Sequence, residues 1–307
     1  MRRFLIALFT LAAAAQTPAE RWWSHVEFLA ADKLEGRDTG SEGHRLAAQY
    51  VADQFARIGL QPAGTNGWFQ PVPFETRQID ETGSSLTLVA NGVETRLTLG
   101  KEAIIQLRPG SRGTVRAPLV FAGRGLQVPE YNYDDLRGLD LNGKIAVVLA
   151  DPPKAFPELI RAQLQKPAER WAPLRRAGAV GVAIIANQQV PWARMAPARL
   201  QPRVFTAAGN TGDDGQQIAL SLNPEHAELF LAGTGHTLAE LIKLLDSQAP
   251  LPRFALGKEL SATVRETRTA FESPNVAGLL PGRRKEFVVV TAHLDHVGKL
   301  RSFSGGG

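Results

Sequence analysis

The sequence predicts an α/β fold in which a mixed β-sheet with flanking helices is interrupted by a smaller α/β unit. Short runs of alternating apolar residues between positions 70 and 107 indicate strands joined by tight turns. A strand, a helix and another strand follow one another between 145 and 185, which is the order of an α/β unit. Residues 287–291 are apolar on both faces, as expected for a central strand covered on both sides.

The N-terminus predicts an export signal at residues 1–18. Arg2 and Arg3 precede an apolar run at 4–15, and alanines at the end of that run supply a small-residue cleavage site. The run is too short to span a bilayer comfortably, and an uncleaved anchor or a buried helix is the alternative. We therefore expect an exported protein, periplasmic or extracellular, that has no membrane contact after signal cleavage.

The composition excludes several classes of function. The 307 residues carry a formal charge of +5 and are 44% hydrophobic, which suits one large or two medium globular domains. Basic residues stand singly or in pairs such as Arg175 and Arg176, and their longest run is the three residues 283–285, whereas nucleic-acid binding requires a clustered basic surface. Since cysteine is absent, thiol catalysis is excluded and any metal ligands must be His, Asp or Glu.

Two helices are predicted near the N-terminus. Apolar residues at 22–29 predict the first, which ends near a turn-rich stretch at 34–40. The second is the best specified in the chain. Ser41 can cap it, apolar residues recur at helical spacing over 46–58, and Gly59 can end it in the left-handed conformation.

The predicted strands lie between turn residues. They are 85–89 and 95–99, joined by Asn91-Gly92, then 117–122, 145–150, 179–185, 260–266 and 275–280. Helices are predicted around 168–177 and 238–245. The intervening residues 191–224 are rich in Pro, Gly, Gln and Arg, which predicts mainly loop.

The most informative residues follow the predicted central strand, at 291–298. An extended backbone places His293 and Asp295 on one side of the chain, so that an imidazole and a carboxylate can converge on one cation. Neutral imidazole suits zinc, and a nearby carboxylate can bind the metal or orient the ring. Because ligand sites in open α/β sheets lie at the carboxyl ends of strands, we predict His293 as a metal ligand, supported by Asp295 and His296. A surface hydrogen bond is the alternative for a His-x-Asp pair.

Two distant segments resemble, in the right order, peptidase family M28, the co-catalytic two-zinc exopeptidases that include secreted aminopeptidases and glutamate carboxypeptidase relatives. The C-terminal match consists of residues 275–282 and 287–298. The N-terminal match consists of residues 34–43 and the following helix up to residues 59–64.

The residues between these segments are similar to a protease-associated domain, a lid-like insertion that many such enzymes carry. The matching pieces are 133–135, 141–144 and 177–181. The resemblance covers roughly residues 20 to 298. It implies the N-terminal part of a peptidase domain at 20–108, a protease-associated-like insert at 113–250 and the resumed peptidase domain at 255–307.

The resemblance implies an exported zinc metallo-exopeptidase of the aminopeptidase type, with a peptide as substrate. In such enzymes two zinc ions activate a water molecule, the position of His293 binds zinc, and the acid at Asp295 supports the metal centre as a catalytic residue. The family's bridging Asp, Glu pair, further carboxylate and last His follow this motif, yet the nine residues after Gly298 contain no acid and no His. We therefore expect an N-terminal fragment that is inactive as it stands. Asp213-Asp214 precedes His293 and is interpreted as a turn.

Other interpretations stay open. One is a non-catalytic peptide-binding module built on the protease-associated-like unit. Another is a carboxypeptidase or deacylase on the same metal scaffold. The sequence predicts neither the preferred side chain nor the oligomeric state.

Overall fold

The computed structural model describes residues 17–108, 113–187, 191–206, 215–284 and 286–298. Residues 1–16 of the export signal predicted at 1–18, and Asp213-Asp214, lie outside the described residues. No helix in these ranges is both long enough and apolar enough to cross a membrane.

Helices and strands alternate along much of the described chain. The helices are α1 (Pro18–Leu29), α2 (Glu42–Arg57), α3 (Glu158–Leu164), α4 (Pro167–Arg176), α5 (Trp192–Ala198), α6 (Glu228–Leu231) and α7 (Leu238–Asp246). Short 3-10 helices span Asp32–Leu34, Pro129–Tyr131 and Pro224–His226. The strands are β1 (Gln61–Pro62), β2 (Phe69–Ile79), β3 (Ser85–Ala90), β4 (Val93–Leu97), β5 (Ala103–Ile105), β6 (Gly113–Ala122), β7 (Gln127–Val128), β8 (Tyr133–Asp134), β9 (Ile145–Leu149), β10 (Gly181–Ile185), β11 (Arg203–Thr206), β12 (Ile218–Leu222), β13 (Arg253–Val264), β14 (Glu266–Val276) and β15 (Gly278–Leu279).

The chain folds as two compact units. The first unit contains the residues up to Pro73 and from Phe271 onward, and the second unit contains Phe74–Ala270. The predicted domain bounds at 108, 113, 250 and 255 remain predictions.

Local capping explains the two helices of the first unit. Thr17 and Glu20 form a reciprocal capping box at the start of α1. The Ser41 hydroxyl accepts a hydrogen bond of 3.1 Å from the His44 backbone N–H at the start of α2. Gly59 follows the end of α2 with φ +82°. Both predicted helices are therefore confirmed.

The second unit is built on an eight-stranded mixed sheet. Its order is β4-β3-β13-β6-β9-β10-β12-β5. The four neighbouring strands β6, β9, β10 and β12 run parallel, and the other neighbours pair antiparallel. The predicted α/β class with a mixed sheet and flanking helices is confirmed. Strands β3, β4 and β5 of this sheet lie before residue 113, where the insert is predicted to begin, and β6, β9, β10, β12 and β13 begin at or after it.

Both faces of the parallel strands are buried, because successive side chains of a strand point to opposite faces. On one face Val147 packs in a cluster with Phe121, Phe230 and Leu241. On the other face Val148 packs in a cluster with Trp171 and Leu174 of α4. The parallel strands are therefore held in a fixed register, and their carboxyl ends meet at one edge of the sheet.

Several sequence predictions need correction. The segment 191–224 is not mainly loop, because it contains α5, β11 and β12. β12 is only five residues long, too short to show a period, and it forms because β10 and β5 pair with it on either side. In the region predicted as strands at 260–266 and 275–280, the chain forms β13 and β14, each longer than ten residues and beginning earlier.

Candidate functional site

The turn at residues 34–40, called here the 34–40 turn, contacts the segment that carries His293. Glu35, Gly36 and Arg37 all have positive φ angles, of +50°, +71° and +50°, a region that favours glycine. At Gly36 there is also no space for a side chain, since a Cβ there would lie 2.5 Å from the carbonyl oxygen of Gly298. Glycine at position 36 therefore permits the close approach of the two segments.

Backbone hydrogen bonds hold residues 293–298, called here the 293–298 segment, against this turn. The His296 N–H donates to the Arg37 carbonyl at 3.0 Å, and the Gly298 N–H donates to the Gly36 carbonyl at 3.1 Å. The Arg37 side chain adds a third link, because its Nε donates to the Leu294 carbonyl at 3.0 Å. The two regions that carry the family resemblance thus meet in the first unit.

The ring of His293 is held in one tautomer. Its Nδ1 lies 2.8 Å from the backbone carbonyl oxygen of Asp295. A carbonyl oxygen can only accept, so Nδ1 must carry the hydrogen, and in the neutral ring Nε2 keeps its lone pair. The side chain is 81% exposed, so that this lone pair is accessible to a cation.

Asp295 is oriented by the same turn. Its Oδ2 accepts a hydrogen bond of 2.9 Å from the Thr39 hydroxyl, and its Oδ1 lies 3.7 Å from Nδ1 of His293. The carboxylate is half-exposed. The structure thus brings the two predicted site residues together, as the His-x-Asp spacing predicts, while their roles stay predictions.

A buried histidine lies behind Asp295. Nδ1 of His44 lies 3.1 Å from the Ser273 hydroxyl, and the residue is almost fully buried. Burial lowers the pKa of His44, the charge of Asp295 acts in the opposite direction, and the positive charge of Arg37 lowers the pKa further. His44 is therefore neutral near pH 7 and packs beneath the 34–40 turn and the 293–298 segment.

The described residues fit one part of a zinc site and do not form a complete one. Catalytic zinc takes three protein ligands, whereas His293 and Asp295 supply one imidazole and one carboxylate. In the part of the chain that the structure describes, no group of three or more His, Asp or Glu side chains is placed to hold a metal ion.

The prediction of a central strand at residues 287–291 is wrong for the described chain. Residues 286–298 have no regular secondary structure, and the side chains of Phe287, Val288, Val289 and Val290 are exposed. A strand exists only through hydrogen bonds to a neighbour, and none of the strands described here pairs with these residues. His293 therefore does not follow the carboxyl end of a sheet strand, and its segment is held by hydrogen bonds to the 34–40 turn.

Sequence reasoning identified the 34–40 turn as a family match but missed what it does. Thr39 and Arg37 bind the segment that carries the predicted ligand, and Gly36 gives it room. The turn-forming residues before Ser41 could have indicated a constrained loop. They do not indicate that this loop contacts the 293–298 segment.

Comparison with known proteins gives a likeness to solved peptidases. No protein-family model matches the chain, and no curated protein matches it. An aminopeptidase from Aneurinibacillus sp. strain AM-1 is similar with 19% identity and a TM-score of 0.42, over 88% of this chain and 50% of that one. A zinc aminopeptidase from Bacillus subtilis is similar with 17% identity and a TM-score of 0.37, over 83% of this chain and 45% of that one.

A third solved structure is a peptidase M28 precursor from Shewanella amazonensis SB2B. It is 14% identical with a TM-score of 0.35, over 82% of this chain and 49% of that one. The chain spans about half the length of the solved peptidases it resembles.

Proposed function

We propose that this chain contributes the first metal-binding segment of an exported zinc exopeptidase of the aminopeptidase type. His293 is the zinc ligand, and Asp295 is the acid that supports the metal centre. One observation carries the proposal: the bond from Nδ1 of His293 to the Asp295 carbonyl leaves Nε2 as the accessible metal-binding nitrogen.

The remaining parts of the proposal rest on the sequence resemblance. The basic pair and apolar run at the N-terminus support export to the periplasm or the extracellular space. The similarity of residues 133–135, 141–144 and 177–181 to a protease-associated domain supports the interpretation of 113–250 as such an insert, and a peptide is the proposed substrate. Two zinc ions belong to the complete enzyme, and the residues described here supply ligands for part of one site.

We further propose that the 307-residue chain does not hydrolyse peptides. One imidazole and one carboxylate cannot retain zinc as tightly as a three-ligand catalytic site does. The described residues therefore lack the coordination that would fix a nucleophile beside the scissile bond.

The metal-ligand role is tested by titrating the chain with cobalt(II) and following the imidazole proton signals of its six histidines by NMR. Paramagnetic broadening should affect His293 first. His293→Ala should abolish the early response, whereas His296→Ala, which removes the other exposed imidazole of the segment, should leave it intact. Early broadening of other histidines with an unaffected His293 would contradict the proposed ligand role.

The enzyme class is tested with aminoacyl-nitroanilides, peptides blocked at the N-terminus and N-acyl amino acids, each with added zinc. No turnover is expected from the 307-residue chain. Turnover that disappears in His293→Ala would refute the proposed inactivity, and the substrate consumed would distinguish an aminopeptidase from a carboxypeptidase or a deacylase.

A further inference from the structure

The guanidinium of Arg37 joins the end of α1 to the 293–298 segment. Its Nη1 donates to the Leu29 carbonyl, and its Nε donates to the Leu294 carbonyl at 3.0 Å. Leu29 is the last residue of α1, and the last carbonyl groups of a helix have no donor within the helix and lie at the negative end of its dipole. Because a guanidinium is planar and rigid, it fixes both acceptors relative to each other.

The backbone of Arg37 contacts the other side of Asp295. Its carbonyl group accepts a hydrogen bond of 3.0 Å from the N–H of His296. That N–H and the Asp295 carbonyl belong to one planar trans peptide group, so they point in opposite directions. Arg37 therefore sets the direction in which the Asp295 carbonyl points.

The ring of His293 depends on this carbonyl. Its Nδ1 lies 2.8 Å from the Asp295 carbonyl oxygen, which can only accept a hydrogen bond. The hydrogen bond made by one ring nitrogen decides which nitrogen stays free to bind a metal. A change in the orientation of this peptide group would release the hydrogen from Nδ1 and let it occupy Nε2, the nitrogen that the cation needs.

The helix at the other end of the guanidinium is held by few contacts. None of the residues of α1 is buried. The Phe28 ring stacks on the Tyr50 ring of α2 with centroids 3.9 Å apart, and Nδ1 of His25 lies 2.6 Å from the Tyr50 hydroxyl. Since Arg37 binds the end of this helix, undocking of α1 would remove one of the two acceptors that orient the guanidinium.

We propose that Arg37 is a positioning residue for the metal ligand and that it couples the docking of α1 to metal affinity. By holding the peptide group between Asp295 and His296, it keeps His293 in the tautomer whose Nε2 is free. The proposal rests on the proposed function, because it takes His293 as the metal ligand.

The test compares the unmodified chain with Arg37→Lys, in metal-free form and in a cobalt(II) titration. Lysine keeps the charge but cannot reproduce the two bonds of the rigid guanidinium. In the metal-free chain at about pH 8.5, where imidazole in water is neutral, nitrogen-15 NMR should show His293 shifting toward the Nε2–H tautomer. Cobalt(II) affinity at His293 should fall about tenfold, as is usual when a partner that orients a ligand is lost.

Arg45→Lys is the matched control for this substitution. Arg45 lies on α2 in the same unit, its side chain is 65% exposed, and it pairs with Glu42. Its replacement should leave both the tautomer and the cobalt(II) affinity unchanged. The amide signals of α2 report whether the first unit stays folded in each variant.

The dependence on α1 is tested separately with Phe28→Ala, which removes the stack on Tyr50 and leaves the 34–40 turn intact. Cobalt(II) affinity at His293 should fall about three- to tenfold. Trp22→Ala is the control on the same helix, since Trp22 is 63% exposed, and should bind cobalt(II) as the unmodified chain does. Unchanged affinity in Phe28→Ala would overturn the coupling to α1.

Failure of the positioning role differs from failure of the proposed function. If His293 binds cobalt(II) equally well in Arg37→Lys and in the unmodified chain, with the same tautomer, the positioning role is wrong and the metal-ligand role stands. If His293 of the unmodified chain does not respond to cobalt(II), the proposed function is wrong, and the positioning proposal falls with it.

Discussion

The Thr39 hydroxyl donates a hydrogen bond of 2.9 Å to Oδ2 of Asp295 and so ties the side chain beside His293 to the 34–40 turn. Backbone carbonyl groups of the same turn accept hydrogen bonds from the N–H groups of His296 and Gly298. Within the 34–40 turn, three successive residues, Glu35, Gly36 and Arg37, have left-handed backbone angles. The 293–298 segment is thus oriented by contacts that need no metal.

Removing the Thr39 hydroxyl should loosen this segment. Thr39→Val keeps the shape of the side chain but loses the donor, and because Asp295 is half-exposed the cost is about 1 kcal/mol. Exchange of the His296 and Gly298 amides, measured by hydrogen–deuterium exchange, should then be about fivefold faster. Thr39→Ser keeps the hydroxyl and should exchange as the unmodified chain does. Identical protection in both variants would show that the bond does not hold the segment.

A side chain at Gly36 should separate the two segments. Gly36→Ala combines a φ of +71° with a Cβ placed 2.5 Å from the Gly298 carbonyl oxygen, so the contact cannot persist. Gly59→Ala is the matched control in the same unit, since it has φ +82° and open space around the added Cβ. Both should lose about 1–2 kcal/mol of unfolding free energy through backbone strain.

Only Gly36→Ala should also abolish the protection of the His296 and Gly298 amides against hydrogen exchange. Protection that survives in Gly36→Ala, or that is lost equally in Gly59→Ala, would contradict the close approach.

Burial of neutral His44 predicts that the first unit is less stable in acid. Its pKa is lowered from 6.5 in the folded state, so below pH 6.5 the unfolded chain binds more protons than the folded chain. The unfolding free energy therefore falls as the pH drops from about 8 to about 5. The stabilisation that comes from neutral His44 is fully present only above the pKa of this residue in the unfolded chain.

The measurement is a urea titration at several pH values, followed by the NMR signals of α2 amides. His44→Gln can still form a hydrogen bond to Ser273 but does not titrate, so the slope of stability against pH should flatten. An unchanged slope in His44→Gln would assign the acid sensitivity to other groups.

Elements defined by local signals could be predicted from the sequence. Ser41 and Gly59 mark the ends of α2 because a cap and a left-handed stop act within one turn of the helix. Asn91 and Gly92 give the β3–β4 hairpin because both adopt the positive φ that a two-residue turn requires.

Elements that depend on a distant partner could not be predicted. β12 forms because β10 and β5 lie on either side of it, whereas the equally apolar residues 287–290 have no neighbouring strand in the described chain and stay exposed. The same limit applies to the site. The spacing of His293 and Asp295 indicates a shared side of the chain, but nothing in a one-dimensional pattern pairs Asp295 with Thr39.

Tyr133→Phe should destabilise the second unit, because one hydroxyl serves two buried groups. It accepts from Nη1 of Arg124 and donates to Oδ1 of Asp135, while Oδ2 of that carboxylate accepts from the backbone N–H groups of Arg124 and Leu126. Its removal leaves a buried cation without an acceptor and a buried carboxylate without one donor, at a cost of about 1–3 kcal/mol. Urea unfolding monitored by the amides of β6 and β9 measures the loss. Tyr131→Phe is the control, since Tyr131 is exposed, and should stay within about 0.5 kcal/mol of the unmodified chain. Equal stability of the two variants would mean that the Tyr133 hydroxyl does not hold Arg124 at the sheet edge.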